Sequence, residues 1–580
     1  MTDKEMYNFW LQNLTGDEKE ELLAIQNDDE EIKQRFAIPL AFGTAGMRGT
    51  VGLGTFRMNV YTVARATEGL AKFILSIGKE AMERGVVISY DTRRFSLVFA
   101  KKVACVLSAY NIKSFLFENV HPVPMCSFAI RHLHAFAGVM ITASHNPKEY
   151  NGYKVYGEDG AQMSPEDTAV VVDFINNIEN YFAVKSDNVA FPESIVGFDN
   201  VKINDYITVI GKQVDDCYYA EIEKLLLSKN AIQKYGKNLK LVYTPIHGSG
   251  YIPVTTILKR IGINVTCVEE QTIPDTEFST VPIPNPENPA ALKMGIDLGN
   301  KIGADVVMGT DPDSDRMGIA VRNNDGEFIL LNGNQIGALL LDYIITRLKE
   351  DNSMPANPAI VKTIVTTTLA DRIAKANDVT VFNVLTGFKF IGEKIKEWEK
   401  SGAYTFLFGY EESYGYLRGT HARDKDAVVA AMLTAEMVCY YESIGKKLYQ
   451  RLCELFATYG YYTEAVTSIA YKGITAMQDM AEAMKKMRSK TITSIAGEKV
   501  YAVSDYLTKV TTNADGSKEN IDLPKSDVLK YLLKDEQFVC IRPSGTEPKL
   551  KVYVLCFDTV SMDKAKAKAS ALLDDIKKEL

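Results

Sequence analysis

Four short runs in this chain carry residues whose types and spacing could do chemistry. The first is Thr142-Ala143-Ser144-His145-Asn146-Pro147, which follows the apolar run Ala137-Gly138-Val139-Met140-Ile141. That run reads as a buried strand, and Pro147 prevents a helix from starting directly after Asn146. Ser144 is thereby offered on a loop at a strand's carboxyl end, where open α/β sheets place ligand chemistry. A serine hydroxyl is a weak nucleophile and needs a base, a metal or a polarising environment. The G-x-S-x-G elbow of serine hydrolases is absent, so that use of the serine is set aside. A polar strand-to-loop turn carries no chemistry by itself, and the other runs decide.

The second run is Gly309-Thr310-Asp311-Pro312-Asp313-Ser314-Asp315-Arg316, after the strand-like Ala304-Asp305-Val306-Val307-Met308. Three carboxylates at alternating positions on a tight loop can converge on one hard cation. One oxygen each leaves room for water and a phosphoryl oxygen, which suits octahedral Mg²⁺. An EF-hand would need Gly at the sixth position and Glu at the twelfth, where this loop has Arg316 and Arg322. The third run, Arg542-Pro543-Ser544-Gly545-Thr546-Glu547-Pro548-Lys549, lies between two strand-like stretches. Gly545 frees the backbone, the hydroxyls and loop amides can donate, and Arg542 can grip a phosphate with two donors. It is an anion cradle, but no G-x-x-x-x-G-K-[ST] Walker loop occurs anywhere in the chain. The fourth, Gly409-Tyr410-Glu411-Glu412-Ser413-Tyr414-Gly415, follows Tyr404-Thr405-Phe406-Leu407-Phe408. Adjacent acids and a serine between glycines and tyrosines suit hydrogen bonding to sugar hydroxyls, although an ordinary polar loop reads the same way.

The elements that must position these runs recur as apolar strand, loop and helical pattern. The theme appears at residues 86–93, 137–147, 239–250, 304–316 and 406–415, which implies mostly parallel α/β units. Residues 290–303 have apolar side chains at helical spacing and form the expected crossover before the acidic loop. The end of the chain differs, pairing strands around the Arg542 run and closing with a Lys/Ala/Leu-rich helix at residues 562–580. Residues 511–517 read as a polar turn or hairpin tip.

At 580 residues the chain is too long for one core, and about 150 residues per domain suggests four. A net charge of −8 argues against nucleic acid, which calls for a basic face. The eight cysteines are scattered, with no C-x-x-C pair, and read as reduced residues of a cytoplasmic protein. Met1-Thr2-Asp3-Lys4-Glu5 lacks a basic start followed by an apolar run, so no signal peptide is expected. No stretch approaches the roughly 18 apolar residues of a membrane span.

The order of these runs resembles that of the α-D-phosphohexomutase superfamily. Phe42-Gly43-Thr44-Ala45-Gly46-Met47-Arg48-Gly49 is similar to its N-terminal signature. Asn151-Gly152-Tyr153-Lys154 and Thr386-Gly387-Phe388-Lys389 fall at matching places, so the likeness covers nearly the whole chain. The length and Tyr243-Thr244-Pro245-Ile246-His247-Gly248-Ser249-Gly250 look most like its long phosphoglucomutase branch, which also contains phosphopentomutase-like proteins. The resemblance implies three similar mixed or parallel α/β domains and a smaller α+β C-terminal domain around a central cleft. Expected boundaries are 1–199 with the serine loop, 200–324 with the metal loop, 325–449 with the sugar loop and 450–580 with the phosphate loop.

The chemistry implied by the resemblance interconverts glucose 1-phosphate and glucose 6-phosphate. Ser144 would carry a phosphoryl group, with Mg²⁺ held by Asp311, Asp313 and Asp315 and by the serine oxygen. Glucose 1,6-bisphosphate would be intermediate and activator. Arg48, Lys154 and Arg316 would offset phosphoryl charge, and His145 would organise the serine loop. Glu411 and Ser413 would take sugar hydroxyls, and Arg542, Ser544, Gly545, Thr546 and Lys549 the phosphate. Lys389 and His247 rank second, and Arg93 reads as a structural ion-pair residue. Members of the mannose type carry Ser-Gly-His in the sugar loop, whereas here Tyr414 and Gly415 follow Ser413. Lys425 matches the lysine that glucose-preferring members place downstream, and Ser413 differs from the alanine of the pentose branch. A mannose or pentose phosphate mutase, or a glucose 1,6-bisphosphate synthase, remains open. The expected partner is a small phosphosugar, with no nucleic acid or membrane, for a monomer or weak homodimer.

Overall fold

Unbroken apolar runs become interior strands because both of their faces must be covered. In the computed structural model, which describes residues 1–43, 46–471, 475–544 and 549–580, the strands Val86–Tyr90, Ala137–Ile141 and Val306–Thr310 are buried at every position. The chain forms two compact units. The first is Met1–Leu331 with Ile395–Lys400 and Tyr414–Ile444; the second is Asn332–Lys394 with Ser401–Ser413 and Gly445–Leu580.

In the first unit a seven-stranded sheet runs in the order Gly46–Thr50, Tyr150–Tyr156, Ala137–Ile141, Val86–Tyr90, Ser114–Phe117, Ile207–Ile210, Val201–Lys202. Its middle is parallel and its edges are antiparallel. From Val86–Tyr90 the chain adds one strand on one side and Ala137–Ile141 on the other. The ends of these two neighbours therefore form a switch point, the place where such sheets leave a crevice. A second sheet, in the order Phe328–Leu331, Met317–Arg322, Val306–Thr310, Leu241–Thr244, Val265–Cys267, repeats that device between Leu241–Thr244 and Val306–Thr310.

The expected crossover is the helix Pro289–Ile302. Asn288 caps it, Pro289 opens it where no amide partner is needed, and Gly303 closes it at φ 66°. It lies close on the sheet because a Cβ at Gly295 would come within 2.8 Å of Val307. At the N-terminus, Asp3–Asn13, Gly16–Leu23 and Asp29–Phe36 are helices gathered on Trp10, whose ring meets Phe36, Tyr61, Tyr181 and Phe182.

The second unit contains Pro358–Thr363, parallel to Thr380–Val384 on one side and Thr405–Glu411 on the other. Its C-terminal region is wholly antiparallel, in the order Tyr461–Ala470, Lys549–Asp558, Phe538–Pro543, Leu529–Leu532, Ala502–Asp505, Val510–Asn513, Lys518–Asn520. The closing helix Met562–Glu579 buries Ala565, Ala569, Leu572 and Ile576 against that sheet. The class is thus α/β sheets followed by a separately built α+β region, as expected. The eight cysteines are free thiols, four of them buried. No single helix among the described residues is long and apolar enough to cross a membrane.

One packing contact in this unit is sensitive to pH. Asn332, the cap of the helix Gly333–Glu350, donates to Glu464 Oε2 at 2.9 Å. Withdrawal from water, with Glu412 adding to it, pushes the Glu464 carboxyl from 4.5 up to about 7 against the bonds it accepts. An acid harder to ionise in the folded chain weakens the fold wherever the unfolded chain has already ionised. Stability therefore falls as pH rises from 4.5 to about 7, by roughly 1–2 kcal/mol for this partly exposed group. Urea unfolding of Glu464→Gln at pH 5 and pH 8 is expected to lose that part of the slope.

Candidate active site

Three residues past the strand Ala137–Ile141, Ser144 adopts φ 52°, a left-handed conformation that costs a non-glycine residue about 1–3 kcal/mol. Its surroundings hold it there. The Ser144 amide donates to Thr142 Oγ1 at 2.8 Å, and its carbonyl accepts from Arg93 Nη2 at 2.6 Å. The same guanidinium donates to the carbonyls of Asn146 at 2.5 Å, Pro147 at 2.9 Å and Tyr150 at 3.0 Å. Arg93 also pairs with Asp91 at 3.3 Å, both fully buried at the end of Val86–Tyr90. Arg48, on Gly46–Thr50, donates to Asn146 Oδ1 at 2.8 Å, and His145 Nδ1 lies 3.2 Å from Ser144 Oγ. The strand Tyr150–Tyr156 runs flush against the loop, since a Cβ at Gly152 would sit 2.4 Å from the Thr142 carbonyl.

The acidic loop leaves Val306–Thr310 and turns through Ser314 at φ 48°. Asp311 Oδ1 accepts the amides of Asp315 and Arg316 at 3.1 and 3.0 Å. Residues 248–250 back the turn: Ser249 donates its amide and hydroxyl to the Pro312 carbonyl, each at 2.8 Å. A Cβ on Gly248 would fall 2.6 Å from Pro312 Cα, and one on Gly250 2.5 Å from Ser314 Oγ. His247 faces elsewhere, bonded to the Ile273 carbonyl and Thr280 Oγ1.

The two loops meet. Ser144 Oγ donates to Asp311 Oδ2 at 3.0 Å, and Thr142 Oγ1 to Asp313 Oδ2 at 3.1 Å. Asp311, Asp313 and Asp315 are buried, and one oxygen from each lies within 4.8 Å of the others. Two of their oxygens, Asp313 Oδ1 and Asp315 Oδ1, are buried with no hydrogen-bond partner. Anionic oxygens withdrawn from water in this way call for a cation. An all-oxygen, multiply charged donor set suits a hard divalent ion, so the residues present fit a metal centre.

Fixed cations share the task. Lys154, on Tyr150–Tyr156, lies 2.8 Å from Asp313 and 3.7 Å from Asp315; Lys425 lies 3.0 Å from Asp315 and from Asp424. Arg316 lies 3.8 Å from Asp315 and pairs with Glu287 at 2.6 Å. Burial, reinforced by Asp313 and Asp315, pushes the Asp311 carboxyl well up. Burial acts on Asp313 too, but Lys154 outweighs it and holds that carboxyl below its usual range. Charge is thus uneven between Asp311 and Asp313 before any ion binds, with the weaker acid of the two next to the serine.

The second unit holds the other expected contacts. Glu411 ends the strand Thr405–Glu411, which runs three residues further than the sequence suggests, and accepts the Gly387 amide at 2.8 Å. Glu412 is taken by Thr363 and Thr366 at 3.1 and 3.2 Å, leaving Ser413 half-buried beside it. Arg542 donates to Thr386 Oγ1 at 2.6 Å and Tyr553 Oη at 3.2 Å, while its buried Nε has no partner. Ser544 donates its amide to the Lys549 carbonyl at 2.8 Å. Lys389 lies on the helix Phe388–Ser401, its ammonium 5.0 Å from the Phe390 ring centroid. Gly545 and Thr546 lie outside the described residues.

Sequence reasoning passed over Thr142 as a link, the clamp that Arg93 makes beyond its ion pair, and Glu287. Thr142 could have been suspected from a hydroxyl two residues before the serine; the others have no local signal.

Sequence profiles of one family match most of the chain. They are described as phosphoglucomutase/phosphomannomutase, alpha/beta/alpha domain I at residues 39–182, domain II at 216–326, domain III at 332–459 and the C-terminal domain at 480–571. The chain is similar to a phosphoglucomutase of Staphylococcus epidermidis, 37% identical over 90% of this chain and 92% of that one. A phosphoglucomutase of Staphylococcus aureus is 37% identical over 91% and 92%. Among solved structures, the open form of the Paramecium phosphoprotein pp63/parafusin, a phosphoglucomutase, shares the fold with TM-score 0.66 at 18% identity, over 94% of this chain and 95% of that one.

If the aspartates form the metal centre, calorimetry should find one divalent ion per chain. Asp313→Asn should weaken that binding by at least about 10-fold with the fold intact by circular dichroism.

Proposed function

This chain belongs to the phosphoglucomutase/phosphomannomutase family, and from that premise we propose that it interconverts glucose 1-phosphate and glucose 6-phosphate through a phosphorylated Ser144. The observation that carries the reading is the 3.0 Å contact between Ser144 Oγ and Asp311 Oδ2 inside a buried carboxylate triad. Asp311, Asp313 and Asp315 would hold Mg²⁺, which offsets phosphoryl charge and polarises the group for in-line transfer.

In the proposed cycle Arg542, Ser544, Gly545, Thr546 and Lys549 bind the phosphate the sugar already carries. Glu411 and Ser413 take its hydroxyls, with Lys389 in support. The free sugar hydroxyl attacks phosphorus; the new O–P bond forms as the bond to Ser144 breaks, giving glucose 1,6-bisphosphate. The proton leaving the sugar is balanced by one taken up at Ser144 Oγ, which lies 3.2 Å from His145 Nδ1. Lys154, Arg48, Arg316 and Lys425 lower the charge that develops on the transferring group. The bisphosphate then returns its other phosphate to Ser144. Lys425, and the absence of histidine after Ser413, favour glucose over mannose. The same reading places the protein in the cytoplasm.

Intact-mass measurement after incubation with glucose 1,6-bisphosphate should show one added phosphoryl group, absent in Ser144→Ala. Label persisting in the alanine variant would refute the nucleophile. Comparing kcat/KM for glucose, mannose and pentose 1-phosphates should rank glucose first, and net release of bisphosphate from a phosphoryl donor would mark a synthase instead.

A further inference from the structure

We propose that Thr142 is a positioning residue that locks the serine loop to the metal loop, so that ion binding and the placement of Ser144 are set by one hydroxyl. The inference rests on the mutase reading, because the loop it positions is the proposed phosphoryl carrier. Thr142 is fully buried, and Oγ1 makes two bonds of opposite direction. It accepts the Ser144 amide at 2.8 Å and donates its one proton to Asp313 Oδ2 at 3.1 Å. The first bond supports the left-handed backbone of Ser144; the second orients a carboxylate 171 residues away in sequence.

The donated bond does more than hold the loops together. Asp313 Oδ2 already receives Lys154 Nζ at 2.8 Å. With Lys154 and Thr142 both on Oδ2, Asp313 Oδ1 is left buried without a hydrogen-bond partner. A carboxylate satisfied on one oxygen and bare on the other is turned to give the bare one to a cation. The Asp313 backbone is fixed too, its carbonyl accepting the Val123 amide at 2.9 Å. Asp91 stands on the other side of Thr142; its Oδ1 accepts from the Arg93 amide and Ser96, and its Oδ2 lies 3.3 Å from the Arg93 guanidinium without a hydrogen bond. The hydrogen bond that Thr142 Oγ1 donates runs to Asp313 Oδ2.

Thr142→Val keeps shape and removes the hydroxyl, and Thr142→Ser keeps the hydroxyl and removes the methyl. Calorimetric titration with Mg²⁺ alone, without sugar phosphate, should show affinity reduced about 10-fold or more in the valine variant. Its kcat should fall by a similar factor with KM for glucose 1-phosphate within about twofold of native, and serine should restore both. Native Mg²⁺ affinity in the valine variant, or a serine variant as impaired as valine, would overturn the proposal. If the valine variant does not fold, alanine takes its place, and alanine and serine variants with equal Mg²⁺ affinity refute it. A native chain that binds Mg²⁺ but never takes up phosphate on Ser144 would refute the mutase reading instead, while the calorimetric comparison still judges Thr142.

Discussion

Three carboxylates drawn out of water inside one loop govern the site. Transfer of a single ion from water is worth several kcal/mol, and neighbouring like charges add to it. The chain answers with fixed cations on separate elements: Lys154 on an antiparallel strand one in from the sheet edge, Lys425 just before the helix Ala427–Ser443, and Arg316 at the loop's end. An opposite charge at 4 Å contributes about 4 kcal/mol at a surface-like effective dielectric, so two close lysines offset part of the triad's cost. What they leave is directional. Asp313 Oδ1 and Asp315 Oδ1 stay without hydrogen-bond partners, and a divalent ion is the species that can take both.

The sheets exist, in this sense, to bring two switch points together. Each sheet adds strands outward on both sides of a central one, so each ends in a gap between neighbouring strand termini. The serine loop fills one gap and the aspartate loop the other, and they touch through Ser144–Asp311 and Thr142–Asp313. The antiparallel partners are part of the design. Tyr150–Tyr156 comes back beside Ala137–Ile141 and brings Lys154 into the gap, which a parallel crossover would carry away from it. Gly152 lets that strand pass the Thr142 carbonyl closely.

The sequence made the loops legible because their chemistry is local. Alternating aspartates after an apolar run, a serine before Asn-Pro, and a crossover framed by Asn288, Pro289 and Gly303 all state their structure within a few residues. What stayed hidden is set by distance along the chain. Arg93 reads as a structural ion-pair residue, and only the fold shows that its partner is Asp91 and that it takes the Ser144, Asn146, Pro147 and Tyr150 carbonyls as well. Gly415 gives no local sign of its use, yet its missing Cβ makes room for the Lys425 stem, which would lie 2.1 Å from it. The N-terminal helices were passed over because they hold no reactive residue. Their weak amphipathic pattern is completed by Tyr61, Tyr181 and Phe182, which lie far along the chain.

The left-handed Ser144 links this architecture to the proposed chemistry. A residue that gives up a phosphoryl group and takes one back must present its oxygen at the same point twice in each cycle. A flexible loop would have to find that point again each time, at an entropic cost of about 1–2 kcal/mol per residue. Here the backbone is pinned on both sides: the amide by Thr142 and the carbonyl by a guanidinium that also holds the next turn. Only the side-chain torsion is left to move. Strain at φ 52° is tolerated because five hydrogen bonds, two of them fully buried, over-determine the loop, so the conformation is in place before a substrate arrives.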